Sequence, residues 1–370
     1  MARKQKTGAG KMSIKDKIAL INKKVGMEVA FNLKEDNPTE VVDWIPTGSR
    51  WLDSIICRGR LAGIPVGRIT EIAGMESSGK SYMAAQIAAN AQKKGFTVVY
   101  FDSESAIDPG FLSNAGCNIG ELIYTQAASV EMVLETMEQL LSESDDQYLF
   151  VWDSLAFTPS ISDVEGDFNP QSSMAVKPRI LSKGLSKLTV PIANSGSILL
   201  VLNQLKTNIT ANVAEQLTTP YFTPGGKALA YSYSLRIWLT KRKAKNAFIE
   251  NEAGFRIGSE VSLKLEKSRF GTEGRRCGFQ IVWGDANPRI LDEESWFHAV
   301  KASEQLQSGG AWYTLTYDDG TTQKFQASKW NECLQEEKFK AQILKIMDRE
   351  VIQKFDLQTG DPTSFYEDEE

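Results

Sequence analysis

The stretch Gly74-Met75-Glu76-Ser77-Ser78-Gly79-Lys80-Ser81 follows the strand-like run Ile69–Ala73 and opens a helical one. Its residues match the spacing G-x-x-x-x-G-K-[ST], in which a glycine loop points backbone N–H groups at phosphate oxygens. The helix that begins there adds its positive dipole end. Lys80 can then reach the β- and γ-phosphates of ATP, and Ser81 can place its hydroxyl on Mg²⁺. A glycine-rich structural turn can match the bare pattern by chance, but rarely with a strand before it and a helix after. Gly74, Glu76, Ser77, Ser78, Gly79, Lys80, Ser81 and Tyr82 are the candidate nucleotide contacts.

Outward from this loop, short β-rich runs alternate with helical ones. Thr97–Phe101 is the next strand. Val130, Val133, Leu134, Met137, Leu140 and Leu141 mark an amphipathic helix. Tyr148–Trp152 and Ile198–Leu202 are apolar on both faces, as buried parallel strands are. A helix carrying Ile180, Leu181, Leu185 and Leu188 lies between them. The alternation predicts an α/β core with a central, mainly parallel sheet. The later runs Ser234–Leu239, Val261–Leu265 and Gly278–Trp283 lack long helices and are expected to extend the sheet antiparallel.

Upstream, Ser13 and Asp16 form a capping-box pattern before Ile14, Ile18, Ile21 and Val25 at helical spacing. One apolar stripe on a short helix must pack on something. The polar stretch Lys34–Thr39 reads as a linker. From about Gly309 the chain reads as a small α+β domain, with Ala311–Tyr317, a turn at Asp318–Gly320 and helical Leu334–Gln353. The expected division is an N-terminal helix/strand arm and linker (1–40), an ATPase core (41–300), a small C-terminal α+β domain (301–358) and an acidic tail (359–370).

A chain of 370 residues can bury a full core. Its net charge of −5 gives no bulk pointer to nucleic acid, so any such role rests on local patches. Cys57, Cys117, Cys277 and Cys333 form no CxxC pair and read as reduced residues. His298 stands alone, which argues against a histidine-based metal or triad site. The polar, basic N-terminus has no apolar signal core, and the longest apolar runs are too short to span a bilayer. Charge is uneven: Arg3, Lys4, Lys6, Lys11, Lys15, Lys17, Lys23 and Lys24 face only Asp16, while Asp361–Glu370 carries five acids and no base. The ends are either solvated or a basic arm and an acidic tail competing for the same phosphates.

Two acids stand out. Asp153 ends the apolar strand Tyr148–Trp152, as a metal-binding Walker B acid should, although a strand-end acid can also cap a helix. Glu104, in Asp102-Ser103-Glu104-Ser105, follows Thr97–Phe101. A carboxylate at that edge faces the nucleotide crevice and can orient or deprotonate the attacking water; the alternative is a surface acid.

The order of these pieces resembles the bacterial RecA family of DNA strand-exchange recombinases over roughly residues 40–350. Thr47-Gly48-Ser49, Leu52-Asp53 and Gly67-Arg68-Ile69 precede the loop as in that family, and Glu76-Ser77-Ser78-Gly79-Lys80 is the family's own variant. Asp102-Ser103-Glu104 with Ala106-Ile107-Asp108-Pro109 resembles the segment holding the catalytic glutamate. Asp153-Ser154, Leu155-Ala156 and Thr158-Pro159 resemble its Walker B strand. Asn203-Gln204 matches the γ-phosphate-sensing pair, Gly225-Gly226-Lys227-Ala228-Leu229 the motif after the second DNA-binding loop, and Gly310-Ala311-Trp312-Tyr313 the start of the C-terminal domain. Departures are Phe111, where a tyrosine stacks on adenine, Ser105, where a histidine follows the glutamate, and Lys267 with Arg269 in place of a lysine pair. The second loop and the N-terminus look more like a phage-encoded, UvsX-like member.

The resemblance implies a DNA-dependent ATPase that uses ATP and Mg²⁺, forms a homo-oligomeric helical filament on single-stranded DNA and exchanges it with a homologous duplex. Two loops, about Ile161–Val176 and Leu205–Pro224, would line the filament axis; without the family they would read as disordered lids. Met174, Arg179, Lys206, Asn208, Ile209, Gly225 and Gly226 are the implied DNA contacts, with Ile209 wedging between base triplets. Phosphate contacts position a strand without reading sequence, as homologous pairing requires. Gln204 would couple nucleotide to DNA. Lys267 and Arg269, on the turn after Val261–Leu265, would meet the next subunit's γ-phosphate. The sheet edge near Val41-Val42 and the N-terminal helix would pack on a neighbour. Single-strand-binding and loader proteins are further implied partners, no membrane is, and the setting is bacterial cytoplasm, or host cytoplasm for a phage protein. The rivals are a RecA-fold hexameric helicase or Sms-like ATPase, and a nucleotide-gated DNA scaffold with little turnover.

Overall fold

The computed structural model describes residues 12–26, 28–35, 37–166, 176–209, 220–241, 247–284 and 288–355. The chain divides into two compact units, Met1–Val42 and Asp43–Glu370. In the first, helix α1 (Ile14–Val25) begins at the capping box. Asp16 N donates to Ser13 Oγ at 3.1 Å, and Ser13 N donates to the Asp16 carboxylate at 3.2 Å. Gly26 ends the helix in the left-handed region at φ 78°, which favours glycine. Ile14, Leu20, Ile21 and Val25 are exposed on α1. Arg3, Lys4, Lys6 and Lys11 lie outside the described residues.

In the second unit, β1 (Trp44–Ile45) and β2 (Ile64–Pro65) pair antiparallel around α2 (Arg50–Ile56). There follow β3 (Ile69–Gly74), α3 (Lys80–Lys93), β4 (Thr97–Asp102), α4 (Pro109–Asn114), β5 (Leu122–Gln126), α5 (Val130–Glu143) and β6 (Tyr148–Asp153). Next come α6 (Ile161–Glu165), α7 (Val176–Ser195), β7 (Ile198–Gln204), β8 (Lys206–Thr207), β9 (Tyr221–Phe222), α8 (Lys227–Ser232) and β10 (Leu235–Lys241). The sheet is completed by β11 (Phe248–Glu250), β12 (Arg256–Ser268), β13 (Arg276–Val282) and β14 (Arg289–Leu291). Its ten strands run β14-β13-β12-β10-β3-β7-β6-β4-β5, with β11 on β12.

β3 and β6 are buried at every residue because both sheet faces are covered. Phe101, Phe150, Trp152 and Val201 pack with Val130, Val133, Met137, Leu181 and Leu185 of α5 and α7. Each such large side chain contributes roughly 1.5–3 kcal/mol on burial. On the opposite face α3 presents Ala84, Ala85, Ala88 and Ala91, small enough for the helix to lie close to the sheet.

The direction of one strand corrects the sequence reading. β10 runs parallel to β3, with Arg236 opposite Glu71; antiparallel pairing begins only at β12. The connection from β7, ending in α8, carries the chain back across the sheet, as parallel pairing requires. The edge strand β5 has an exposed pattern and escaped the sequence reading.

After α9 (Asp292–Val300), strands β15 (Leu306–Gly309), β16 (Trp312–Thr316) and β17 (Thr322–Gln326) form a separate antiparallel sheet, followed by α10 (Trp330–Cys333) and α11 (Glu337–Ile346). Trp296, Phe325, Trp330 and Phe339 build its own core, with Phe325 and Phe339 edge-to-face at 5.2 Å. The helical stretch expected through Gln353 continues past α11 as a π-turn, Met347–Ile352. Asp361, Glu367, Asp368, Glu369 and Glu370 lie outside the described residues. Among the described residues, no helix is long and apolar enough to cross a membrane.

Candidate nucleotide-binding site

The loop between β3 and α3 crowds its two glycines against side chains, and Gly74 also against the Leu239 carbonyl. A Cβ on Gly79 would meet Ile281 Cδ1 at 2.4 Å, and one on Gly74 would meet Ser78 Oγ at 2.4 Å. Gly79 also sits at φ 87°, where glycine is at ease, and Ser77 holds φ 52° with a side chain in place. Lys80 Nζ donates to the carbonyls of Gly74 (3.2 Å) and Met75 (3.0 Å). Burial lowers the Lys80 pKa, while the carboxylates of Asp153, Glu104 and Glu76 pull it back up. Ser78 Oγ is buried without a hydrogen-bond partner. An ammonium held by carbonyls and an orphaned hydroxyl in a glycine loop fit the phosphates of ATP.

Asp153 closes β6 and is 8% exposed. Tyr100 lies on the same sheet face, and its hydroxyl donates to Asp153 Oδ2 at 2.9 Å. Burial raises the Asp153 pKa, and hydrogen bonds from Tyr100 and Ser81 oppose the rise. Ser81 and Asp153 are therefore in contact, the pair a P-loop uses for Mg²⁺ beside the phosphates. A hydroxyl and a carboxylate are a donor set that fits a metal completed by nucleotide oxygens.

Glu104 lies across from this pair. Its Oε1 accepts from Ser154 Oγ at 3.1 Å, and its N–H donates to Asp102 Oδ1 at 2.9 Å. Asp102 also accepts from Ile107 N (3.0 Å) and the Tyr124 hydroxyl (3.1 Å). Ser154 N donates to Ser103 Oγ at 2.8 Å, joining the ends of β4 and β6. The structure thus brings Lys80, Ser81, Glu104 and Asp153 together. Tyr100 escaped the sequence reading because a tyrosine within an apolar strand reads as core.

At the side of α3, Phe111 and Tyr82 meet edge-on with centroids 6.1 Å apart. Asp108 caps α4 by accepting from Phe111 N at 2.9 Å, which fixes where that ring stands. Gln204 ends β7 directly opposite Gly74.

The described ends of the two loops carry local structure, while residues 167–175 and 210–219 lie outside the described residues. The first opens with α6, where Ser160 N and Oγ both donate to the Asp163 carboxylate (3.0 and 2.6 Å). Met174 lies outside the described residues. The second is paired at its base, Lys206 with Phe222 and Thr207 with Tyr221. Asn208 N donates to Pro220 O at 2.8 Å, and Ile209 is 89% exposed. Arg179 and Lys206 are exposed. Gly225 (φ 108°) and Gly226 (φ 87°) turn the chain into α8, and a Cβ on Gly226 would lie 3.9 Å from Pro178 at the start of α7. The bases of the two loops therefore meet.

Lys267 lies within β12, not on a turn: the strand runs on to Ser268. Lys267 stands opposite Arg236, which is opposite Glu71. Glu71 lies three positions before Gly74, roughly 10 Å along a strand. Lys267 Nζ donates to Ala230 O (2.7 Å) and Arg269 Nη2 to Tyr231 O (2.8 Å). Both cations thus lie toward the strand ends remote from their own subunit's P-loop.

The parallel sheet, its strand-end acids and the loop entering α3 define a P-loop ATPase with a RecA-like α/β core. The family model described as "RecA N-terminal domain" matches residues 12–287. Protein RecA of Fusobacterium nucleatum is 32% identical over 303 residues, covering 82% of this chain and 75% of that protein. Protein RecA of Thermus thermophilus is 29% identical over 343 residues, covering 92% and 96%. The chain belongs to the RecA family of ATP-dependent recombinases, which act in DNA recombination and repair.

Proposed function

We propose that this chain hydrolyses ATP to ADP and phosphate in the loop of residues 74–81, and that ATP sets the grip of residues 161–176 and 205–224 on single-stranded DNA. One observation carries the coupling: Gln204 ends β7 beside Gly74 and leads straight into the base of the second loop. Lys80, with the loop's backbone N–H groups, Glu76, Ser77, Ser78 and Tyr82, contacts the nucleotide; Phe111, set by Asp108, stacks on the base. Ser81 and Asp153 hold Mg²⁺, which neutralises phosphate charge when bound. Glu104 takes the proton from the attacking water at its carboxylate, steadied by Ser154. Arg179, Lys206 and Asn208 hold DNA phosphates, Met174 and Ile209 meet bases, and Gly225 and Gly226 let the returning chain approach the strand.

Lys267 and Arg269 act on the nucleotide of the next subunit, because their own P-loop lies at the other strand ends. Residues 1–40 carry the contact between subunits, 41–300 the ATPase core, 301–358 a separate C-terminal domain and 359–370 an acidic tail that competes with DNA. The filament pairs its strand with a homologous duplex in bacterial or infected-host cytoplasm, aided by single-strand-binding and loader proteins. Identities near 30% to the bacterial proteins, with Phe111 and Ser105 at altered positions, support a phage-encoded, UvsX-like branch.

ATP turnover with and without single-stranded DNA, together with electron microscopy in a non-hydrolysable analogue, tests this reading. It predicts DNA-stimulated turnover and open helical filaments. Closed hexameric rings would favour the helicase, and binding without turnover would favour the scaffold.

A further inference from the structure

Glu71 is a fully buried carboxylate in the middle of β3, three residues before the P-loop. Both its oxygens are used. Arg236 Nε donates to Oε2 at 2.6 Å, and Asn203 Nδ2 donates to Oε1 at 2.9 Å. Each donor also holds the returning strand of the second loop: Arg236 Nη2 donates to Thr223 Oγ1 at 2.9 Å, and Asn203 Nδ2 to Pro224 O at 3.1 Å. Asn203 Oδ1 accepts from Gln204 N at 2.9 Å. An unbroken path of hydrogen bonds therefore runs from Gln204 through Asn203 and Glu71 to Arg236 and Thr223. The rings of Tyr233 and Trp238 lie 5.9 and 5.6 Å from the Arg236 guanidinium and restrict its positions.

A buried ion pair is a poor way to stabilise a sheet, since apolar residues of similar volume do as well or better. A guanidinium, however, can serve two acceptors in fixed directions at once. We propose that Glu71 and Arg236 are positioning residues that fix the return stem of the second loop relative to Gln204 and so transmit nucleotide state to the DNA grip. This rests on the reading of Gln204 and the second loop given above.

The coupling is measured as the affinity of the full-length protein for a fluorescent oligo-dT with a non-hydrolysable ATP analogue, divided by that with ADP. Linkage makes the same factor appear in nucleotide affinity with and without DNA. Thr223→Val removes only the bond from Arg236 to the loop and leaves the buried pair intact. It should lower the coupling ratio by roughly tenfold, as loss of one charge-assisted hydrogen bond does. Thr223→Ser keeps a hydroxyl and should restore the ratio. The neutral pair Glu71→Gln with Arg236→Met avoids an unpaired buried charge and should abolish coupling while still binding analogue. A wild-type ratio in Thr223→Val would overturn the relay. A wild-type protein whose own ratio is one would overturn the reading of the loop, and the relay with it. If the double variant does not fold, Thr223→Val against Thr223→Ser decides alone.

Discussion

Tyr100→Phe isolates the support of the metal site without disturbing the core. Tyr100 is fully buried, and phenylalanine keeps its ring and volume. What goes is the 2.9 Å bond from its hydroxyl to Asp153 Oδ2. A hydrogen bond to a charged acceptor contributes about 1.5–3 kcal/mol net, and the carboxylate oxygen left behind is buried. If that loss falls on the metal-binding geometry, at about 1.4 kcal/mol per factor of ten, the Mg²⁺ concentration for half-maximal turnover should rise roughly 10-fold or more. The pH dependence has a definite sign. Burial already raises the Asp153 pKa and the Tyr100 bond opposes it, so the variant's pKa rises further. A carboxyl with a raised folded-state pKa costs stability while ionised, and the cost is relieved as pH falls through that pKa. The variant should therefore be destabilised most at neutral pH and approach the wild type on acidification. Mg²⁺ titrations of turnover, with urea unfolding at several pH values, measure both effects. An unchanged Mg²⁺ midpoint with unchanged neutral-pH stability would refute the claim that Tyr100 holds Asp153.

Glu104→Gln keeps the shape and the Ser154 contact but removes the base. Nucleotide binding should survive while turnover falls about 10²–10⁴-fold, and normal turnover would move the base elsewhere. Lys267→Ala with Arg269→Ala should bind ATP yet lose DNA-stimulated hydrolysis by about 10³-fold. Mixing that double variant with Glu104→Gln should restore some activity, because some interfaces regain both halves; no recovery in filaments verified by microscopy counts against action in trans. Deleting residues 361–370 should speed capture of duplex DNA, most visibly at low salt, and equal uptake across a salt series would leave those acids merely solvated.

Features set by local pattern were readable from the chain. The glycine loop, the buried strands and the Ser13 capping box each follow from residues only a few positions apart. The same logic applied to Ser160 and Asp163 would have found α6, which sits where a loop was expected. The direction of β10 was not readable, because it depends on how a long connection crosses the sheet. The Glu71–Arg236 pair spans 165 positions, so neither partner announces the other. Each leaves half a signal, a charge inside an apolar strand that must be paired if buried. The apolar alternation fades after Leu265, so Lys267 reads as part of a turn, whereas backbone pairing with β10 carries the strand to Ser268.

Strand exchange itself tests the central claim most directly. Single-stranded circular DNA, a homologous linear duplex and the full-length chain are combined with ATP and Mg²⁺, and joint molecules are followed on gels. Joint molecules should form with ATP and a homologous duplex, and fail with ADP or an unrelated duplex. DNA-stimulated ATP hydrolysis without homology-dependent joint molecules, in reactions where filaments are present, would contradict the account.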